Sequence, residues 1–349
     1  MEAVDQTSEV TMSQQNDEKG RVSMKNLSRW YWVVLLSVLF TIGVGSMEVG
    51  AQDKYPSRAI DIICPFAAGG STDLISRVTA AFLSKKWGVP VNVVNKPGGN
   101  TVPACIEVYR ANPDGYTLLA DGNPSSSMVG IVMKTVPFKI LDRTFLGMIG
   151  QTPHVPIVAL SSPYKSLKEL EAEAKKSPES FTWTSLGGAS LQDYVIRPFL
   201  KAIEVDVLKT KPVMSQGGSQ AVTLTAGGHV KMGTATTSSV LPAIKGGMVR
   251  PLAITSPTRW PDLPDVVPTV ELGYPKITGV QWNGISGPPN MPAAVVEKWN
   301  SELQEMLKDP QVISNLRNIG ASPFFHDAQR FREFVLKETE EVAILWGLK

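Results

Sequence analysis

From residue 60 onward, short apolar runs alternate with amphipathic stretches, the pattern of an α/β chain in which strand and helix exchange. Runs over 60–65, 91–94 and 117–120 predict buried strands. Between them, 72–87, 102–111 and 126–134 predict helices; in the first, Leu74, Val78, Ala81 and Phe82 fall at helical spacing. A second series begins after Gln151, with strands over 155–160, 181–184, 205–208, 231–234 and 251–255. Its helices are expected over 167–176, 191–203, 220–226 and 240–245. A proline-rich connector over 257–275 leads to a strand at 280–285 and three closing helices. In the first of these, Pro292 suits the opening turn, and Val295, Val296, Trp299, Leu303 and Met306 form one apolar stripe, which indicates packing. The third, over 328–346, is expected to dock on the first series. Two such series predict two α/β lobes, each a mainly parallel sheet flanked by helices, with a cleft between them.

The N-terminus carries a different pattern. An apolar run over 30–44 follows Lys25 and Arg29 and precedes the small residues Val49, Gly50 and Ala51, as in a secretory signal peptide. It is shorter than the roughly twenty residues that span a bilayer, although an uncleaved anchor is the alternative. No cysteine follows the run, which argues against a lipoprotein. Residues 1–23 are polar, and Met24 would give the signal an ordinary length, so residues 1–51 are expected to be leader plus signal. About three hundred residues then remain, more than one hydrophobic core usually serves.

Charge narrows the partners. The formal net charge is +2, and the basic residues are dispersed without a Lys/Arg block, which argues against nucleic acid. Cys64 and Cys105 are the only cysteines; export would allow them to pair, while two buried thiols are the more ordinary outcome. His154, His229 and His326 lie far apart without an H-x-x-x-H pair, so no metal and no cofactor is expected. G-x-S-x-G, G-x-x-x-x-G-K-[ST], G-x-G-x-x-G and C-x-x-C are all absent. Ser162-Pro-Tyr-Lys165 matches S-x-x-K by letters only, since it sits in a proline turn and lacks companion motifs.

What remains is a set of five small-residue turns at strand ends. The first, Ala68-Gly69-Gly70-Ser71-Thr72, runs from a buried strand directly into a helix, so the N–H groups of Gly70, Ser71 and Thr72 should point outward where a carboxylate or phosphate would fit. The others are Gly122-Asn123-Pro124-Ser125, the segment from Ser185 to Ser190, Ser215-Gln216-Gly217-Gly218-Ser219, and Thr236-Thr237-Ser238-Ser239. Any one alone would be a helix cap. Five at the carboxyl ends of strands, divided between two lobes, favour a cleft lined from both sides. None contains Lys or Arg, so an acid would be held by main-chain amides. Asp73, the charged residue of the first turn, either favours the helix dipole or orders the loop.

Several longer motifs carry a family resemblance. Tyr55-Pro-Ser-Arg, Cys64-Pro-Phe-Ala-Ala-Gly-Gly-Ser-Thr-Asp73, Val94-Asn-Lys-Pro-Gly-Gly99, Pro113-Asp-Gly-Tyr-Thr-Leu-Leu119 and Trp282-Asn-Gly-Ile-Ser-Gly-Pro288 resemble the Bug family. These are TctC-like extracytoplasmic solute receptors of tripartite tricarboxylate transporters, and the resemblance covers residues 54–348. It implies a type II-like periplasmic binding protein that closes like a flytrap on a carboxylate-bearing solute and hands it to membrane permease subunits. It implies no enzyme activity, a monomer, and export to the periplasm. The implied site comprises Phe66, Ala67, Ala68, Gly69, Gly70, Ser71, Thr72 and Asp73, with Asn123 and Ser125, on the first lobe. Facing them are Ser185, Gly187, Gly188 and Ser190, then Gln216, Gly217 and Gly218, then Ala235, Thr236 and Thr237. The first lobe would comprise 52–151 and 279–349 and the second 152–278, with hinge crossovers near 152–155 and 255–257.

The chain departs from the family pattern in the second lobe, which usually meets the distal part of the ligand. Ala235 stands where an aspartate is common, Lys231 replaces the preceding Asp, Asp193 replaces a histidine, and Ser215-Gln216-Gly217 replaces Tyr-Lys-Gly. The expected solute is a mono- or dicarboxylate, and an aromatic or branched acid is consistent with losing the aspartate. Two rivals stand beside this reading: a sensory or adaptor binding protein without transport, and a hydrolase using Ser71 or Ser190, near neither of which a base is visible.

Overall fold

The computed structural model describes residues 55–133, 136–187 and 190–345; the signal-like run, Met24, the Ala51 cleavage site and Gly188 lie outside the described residues. The first part of the chain comprises β1 (Ile60–Cys64), α1 (Ser71–Trp87), β2 (Val91–Asn95), α2 (Val102–Tyr109), β3 (Thr117–Gly122), a short α3 (Val129–Val132) and β4 (Thr144–Ala159). Then come α4 (Leu167–Lys176), β5 (Thr182–Ser185), α5 (Leu191–Ala202), β6 (Lys211–Met214), α6 (Gly218–Ala226), β7 (Gly233–Thr236), α7 (Thr237–Lys245) and β8 (Val249–Pro251). The last part holds β9 (Val280–Gly287), α8 (Ala293–Met306), α9 (Pro310–Asn318), β10 (Ser322–His326) and α10 (Ala328–Leu345).

The first sheet has the order β10-β4-β9-β3-β1-β2. β1 runs parallel to β2 and β3, whereas β9 is antiparallel to both β3 and β4. The sheet is therefore mixed, with β9 and β10 returning against the other strands. β4 is much longer than the expected strand, because its first half, with Gly147, Gly150 and Pro153, breaks the apolar alternation that marks a strand. Register shifts near Gly147 and Gly150 record the same irregularity. From His154 onward β4 leaves β9 and pairs with β7 and β8, so one strand belongs to both lobes. β5 and β6 pair in parallel, and a bridge from Trp183 to Met232 sets β5 beside the chain entering β7. The strand expected over 205–208 is instead a single helical turn followed by β6, and Leu208 is exposed.

Separate apolar cores hold the two lobes. Phe181, Trp183, Phe199 and Leu200 pack under one face of the second lobe, and Val155, Ala235, Val240 and Ile254 under the other. In the first lobe α10 brings Phe331 and Val335 onto Trp282 of β9, with the Trp282 and Phe331 rings 5.1 Å apart and nearly perpendicular. Cys64 and Cys105 are free and buried, and burial pushes their thiols up to about 12 and about 11.

Two passages of chain join the lobes, β4 at 153–154 and the entry to β9 at 279–280. The segment after Thr255 stays on the second lobe, because Leu263 and Val266 fill one of its cores and Ile277 the other; the second passage is thus later than residues 255–257. Thr255 stitches the two passages together. Its N–H donates to His154 O at 2.9 Å and its hydroxyl to Gly279 O at 2.5 Å, while His154 N–H reaches Thr255 Oγ1 at 2.9 Å.

Candidate functional site

A narrow cleft of about 30 Å³, room for a water or two, lies beside these passages. The first lobe contributes Phe66, Gly70, Ser71, Thr72 and Pro124 to its wall. The second contributes Leu186, Ser190, Gln192, Gly217, Gly218, Thr236 and Ser239, and His154 and Gln281 line it where the lobes join. No Lys, Arg, Asp or Glu is among them.

The cleft gains its donors from helix starts. At α1, Gly70 is extended and no side chain caps the helix. Asp73 turns back under the loop instead, accepting from Gly69 N–H at 2.9 Å, Asn95 Nδ2 at 2.9 Å and the Arg77 guanidinium at 2.9 Å. Gly69 has φ +81, a left-handed conformation that glycine adopts without penalty. A Cβ there would meet Ser219 at an ordinary 3.8 Å, so a side chain at Gly69 strains the backbone rather than clashing with the residues around it. The Ser71 and Thr72 hydroxyls are held by Gln281 Nε2 at 3.0 and 2.9 Å, which leaves their N–H groups facing the cleft.

In the second lobe, α6 and α7 also begin without a side-chain cap and without an acid in the first turn. α5 differs, because its N-cap Ser190 accepts from Asp193 N–H. Asp193 in turn takes hydrogen bonds from Ser185 Oγ at 2.7 Å, Ser190 Oγ at 2.9 Å and Leu186 N–H at 3.1 Å. Three helices thus offer open, electropositive starts to one cleft, and the fourth satisfies itself.

Across the mouth the lobes touch directly. Ala67 N–H donates to Gln216 O at 3.4 Å, Ser219 Oγ to Ala68 O at 3.0 Å, and Thr237 Oγ1 to Gly320 O at 2.6 Å. Ala67, Ala68, Gly69, Gln216 and Thr237 therefore form or adjoin the rim. Gly187 takes φ +86 and faces the Asn100 side chain, and Ser185 serves Asp193.

Other expected site residues turn away. Ala235 is fully buried in the second lobe's core: it pairs with Val155 on β4, and strand alternation sends Thr236 to the cleft in its place. Asn123 and Ser125 build their loop from within, and only Pro124 between them reaches the cleft. Ser125 Oγ donates to Asp121 at 2.7 Å, beside the fully buried ion pair of Asp121 with Arg143 at 3.2 Å. Asn123 Oδ1 accepts from Trp282 N–H at 3.0 Å, and its Nδ2 donates to Glu338. Glu338 also receives Ser127 Oγ and Trp282 Nε1, yet burial pushes its carboxyl up to about 6.

Sequence reasoning missed His154, Gln192 and Gln281 as wall residues, whereas Ser239 belongs to the fifth of the expected turns. A signal existed for two of them: polar residues at every second position, Thr152 and His154 on β4 and Gln281 and Asn283 on β9, interrupt otherwise apolar strands. For a hydrolase, Ser71 Oγ meets Gln281 and Ser190 Oγ meets Asp193, while the His154 ring meets Thr234. Neither serine has an imidazole partner among the described residues.

Comparisons with known proteins agree with this architecture. Residues 75–345 match the family described as tripartite tricarboxylate transporter family receptor. Protein BugT of Bordetella pertussis is 29% identical over 318 residues, covering 88% of this chain and 95% of that protein. The structure of the periplasmic binding protein BugD superposes with a TM-score of 0.79 at 26% identity, covering 84% of this chain and 98% of that one. The R. palustris protein Rpa4515, solved with adipate, gives the same TM-score of 0.79 at 26% identity, with 84% and 98% coverage. An α/β fold whose two lobes share a strand, a cleft walled by open helix starts and a family match over most of the chain converge: this protein belongs to the tripartite tricarboxylate transporter receptor family of periplasmic solute-binding proteins.

Proposed function

We propose that this protein captures a small carboxylate-bearing solute in the periplasm by lobe closure and delivers it to the membrane permease of a tripartite transporter. The observation that carries the reading is the convergence of three uncapped helix starts, from both lobes, on a cleft without a charged side chain. A carboxylate supplies the acceptors those N–H groups lack. Each hydrogen bond to a charged group contributes about 1.5–3 kcal/mol, and a helix dipole about 0.3–1 kcal/mol more. Three to five donors then reach the roughly 8 kcal/mol of micromolar binding after ordering costs.

The lobes that close are residues 52–151 with 279–349, and 152–278. Contacts to both are required, because a solute shifts an open–closed equilibrium only by its differential affinity for the two states. Export by the N-terminal signal places the receptor where the permease can meet its closed form. Adipate bound to Rpa4515 supports a dicarboxylate as one candidate.

A thermal-shift screen with adipate, hexanoate, malate and benzoate tests the reading. At least one acid should raise the melting temperature in a concentration-dependent way, as mass action requires of a ligand that prefers the folded state. A flat response to all carboxylates, with the protein folded, would sink it.

A further inference from the structure

One wall residue differs from every other in chemistry and position. His154 sits on β4 at the point where the strand passes from one lobe to the other, and its backbone is fixed there by Thr255 on both sides of the peptide. The side chain is 3% exposed and lines the cleft with Ser71, Gln281 and Thr236. Its Nδ1 meets Thr234 Oγ1 at 3.4 Å, while the buried Nε2 has no well-formed hydrogen bond among the described residues, the Gln281 side chain being the polar neighbour that acts on the ring. A buried ring nitrogen left unpaired is costly, and a structure retains one where something else completes it.

The hydrogen-bond inventory assigns the tautomer. Thr234 is fully buried, and Nδ1 is the one partner of its hydroxyl among the described residues. If the hydroxyl donates to Nδ1, it is satisfied and the ring proton lies on Nε2. If Nδ1–H donated instead, the hydroxyl proton and Nε2 would both be left without a well-formed hydrogen bond. The first arrangement presents a neutral N–H donor to the cleft, and burial, which lowers the imidazole to about 4, keeps the ring neutral near pH 7. A neutral donor suits this wall, whose other side-chain donors are hydroxyls and carboxamides.

We propose that His154 is a specificity-determining ligand contact: its Nε2–H, aimed into the cleft at the hinge, donates to an oxygen of the bound carboxylic acid. The inference rests on the receptor reading and deepens it. Because the residue sits on the shared strand, the contact reports to both lobes at once, and the solute must present an oxygen to the hinge as well as to the helix starts. A bulky apolar group in that position would leave Nε2–H unpaired.

The test uses the full-length mature chain and whichever of adipate, hexanoate, malate and benzoate gives the largest thermal shift. Titration calorimetry on wild type, His154→Leu and His154→Gln is read alongside circular dichroism and melting temperature. His154→Leu should weaken binding about ten-fold to a hundred-fold, the span for one hydrogen bond to a charged group, and His154→Gln, which keeps an N–H donor, should recover part of it. In the wild type, the ring-nitrogen NMR signal absent from His154→Gln should show protonated Nε2 before solute is added and a downfield N–H shift after it. The variant serves only to assign the signal; the response to solute is read on the wild type. Binding within twofold of wild type in a folded His154→Leu, or an Nε2 signal unmoved by saturating solute, would overturn the assignment while leaving the receptor reading intact. If no acid binds the wild type, the receptor reading fails and takes this inference with it.

Discussion

The starts of α1 and α5 are built from the same parts and reach opposite ends. Each carries an aspartate in its first turn paired with an arginine four residues on, Asp73 with Arg77 and Asp193 with Arg197. In each, the aspartate also gathers an N–H from the loop ahead of the helix, Gly69 in one and Leu186 in the other. At α5 a serine occupies the N-cap and closes the circuit, so the start consumes its own donors. At α1 a glycine occupies that position, and the donors stay open to the cleft. The aspartate device therefore shapes a loop, and the residue at the N-cap decides whether the helix start keeps its donors open.

Exchanging that one residue should break the comparison most severely. Gly70 has φ −78 and ψ 165, an extended conformation that any residue adopts, and a Cβ there would meet Ala67 O at an ordinary 3.5 Å. Gly70→Asp would place a carboxylate over the same N–H groups that the solute is proposed to use. Loss of two charge-assisted hydrogen bonds corresponds to about a thousandfold weaker binding, while folding stability should stay within about 0.5 kcal/mol of the parent. Calorimetric titration paired with urea denaturation measures both. Unchanged affinity would show that the solute does not use this start.

The two aspartates sharpen the contrast next. Asp73→Ala would leave Gly69 N–H without its acceptor and Asn95 Nδ2 with Phe66 O alone, and Asp193→Ala would strip Leu186 N–H and Ser185 Oγ of theirs. Asp193→Ala, whose donors are buried, should cost about 3 kcal/mol in denaturant unfolding, and Asp73→Ala somewhat less, because Gly69 is exposed. Binding should separate them: at equal folded fraction, the Asp73 variant loses affinity far more than the Asp193 variant. Equal losses would mean that the closed α5 start also contacts the solute.

How far this was legible from sequence depends on the range of the signal. Glycine turns entering helices are local, so Ala68 to Thr72 and Gln216 to Gly218 could be recognised from a few adjacent residues. Motif matching placed Ala235 at the site, but the alternation of β7 turns it into the core, and a residue's face is set by register with β4, far away in sequence. Asn123 and Ser125 looked like cleft residues until Glu338 and Asp121 claimed their side chains from across the first lobe. The mixed sheet escaped notice for a related reason, since β4 begins in a stretch broken by Gly147, Gly150 and Pro153. His154 and Gln281 reach the cleft only because two distant strands pair through the hinge.

Glu338 gives the first lobe's 122–125 loop a pH signature. Its carboxyl is raised to about 6 by burial, above the value of a solvated glutamate, so the folded state holds the proton more tightly than the unfolded chain. The associated stability is fully present below about pH 4.5 and is lost as pH rises to about 6, by about 2 kcal/mol. Urea denaturation from pH 4 to pH 7 should show that decline in the wild type and a flattened profile in Glu338→Gln. A profile unchanged by the substitution would assign the titration elsewhere.

The smallest effect discriminates the two helix starts most cleanly. Ser190→Ala removes the α5 cap and should cost about 1 kcal/mol, the ordinary loss for an N-cap hydroxyl. The freed N–H groups would then resemble those at α1, open to the cleft but still backed by Asp193, whose charge faces the incoming acid with one hydroxyl partner fewer. Asp193, still paired with Arg197 but one hydroxyl short, opposes a carboxylate, so affinity should change by less than about threefold, despite the new donors. A gain of tenfold or more in the same calorimetric titration would show that an open start binds whatever its aspartate is doing, and the N-cap residue alone would then separate the two lobes.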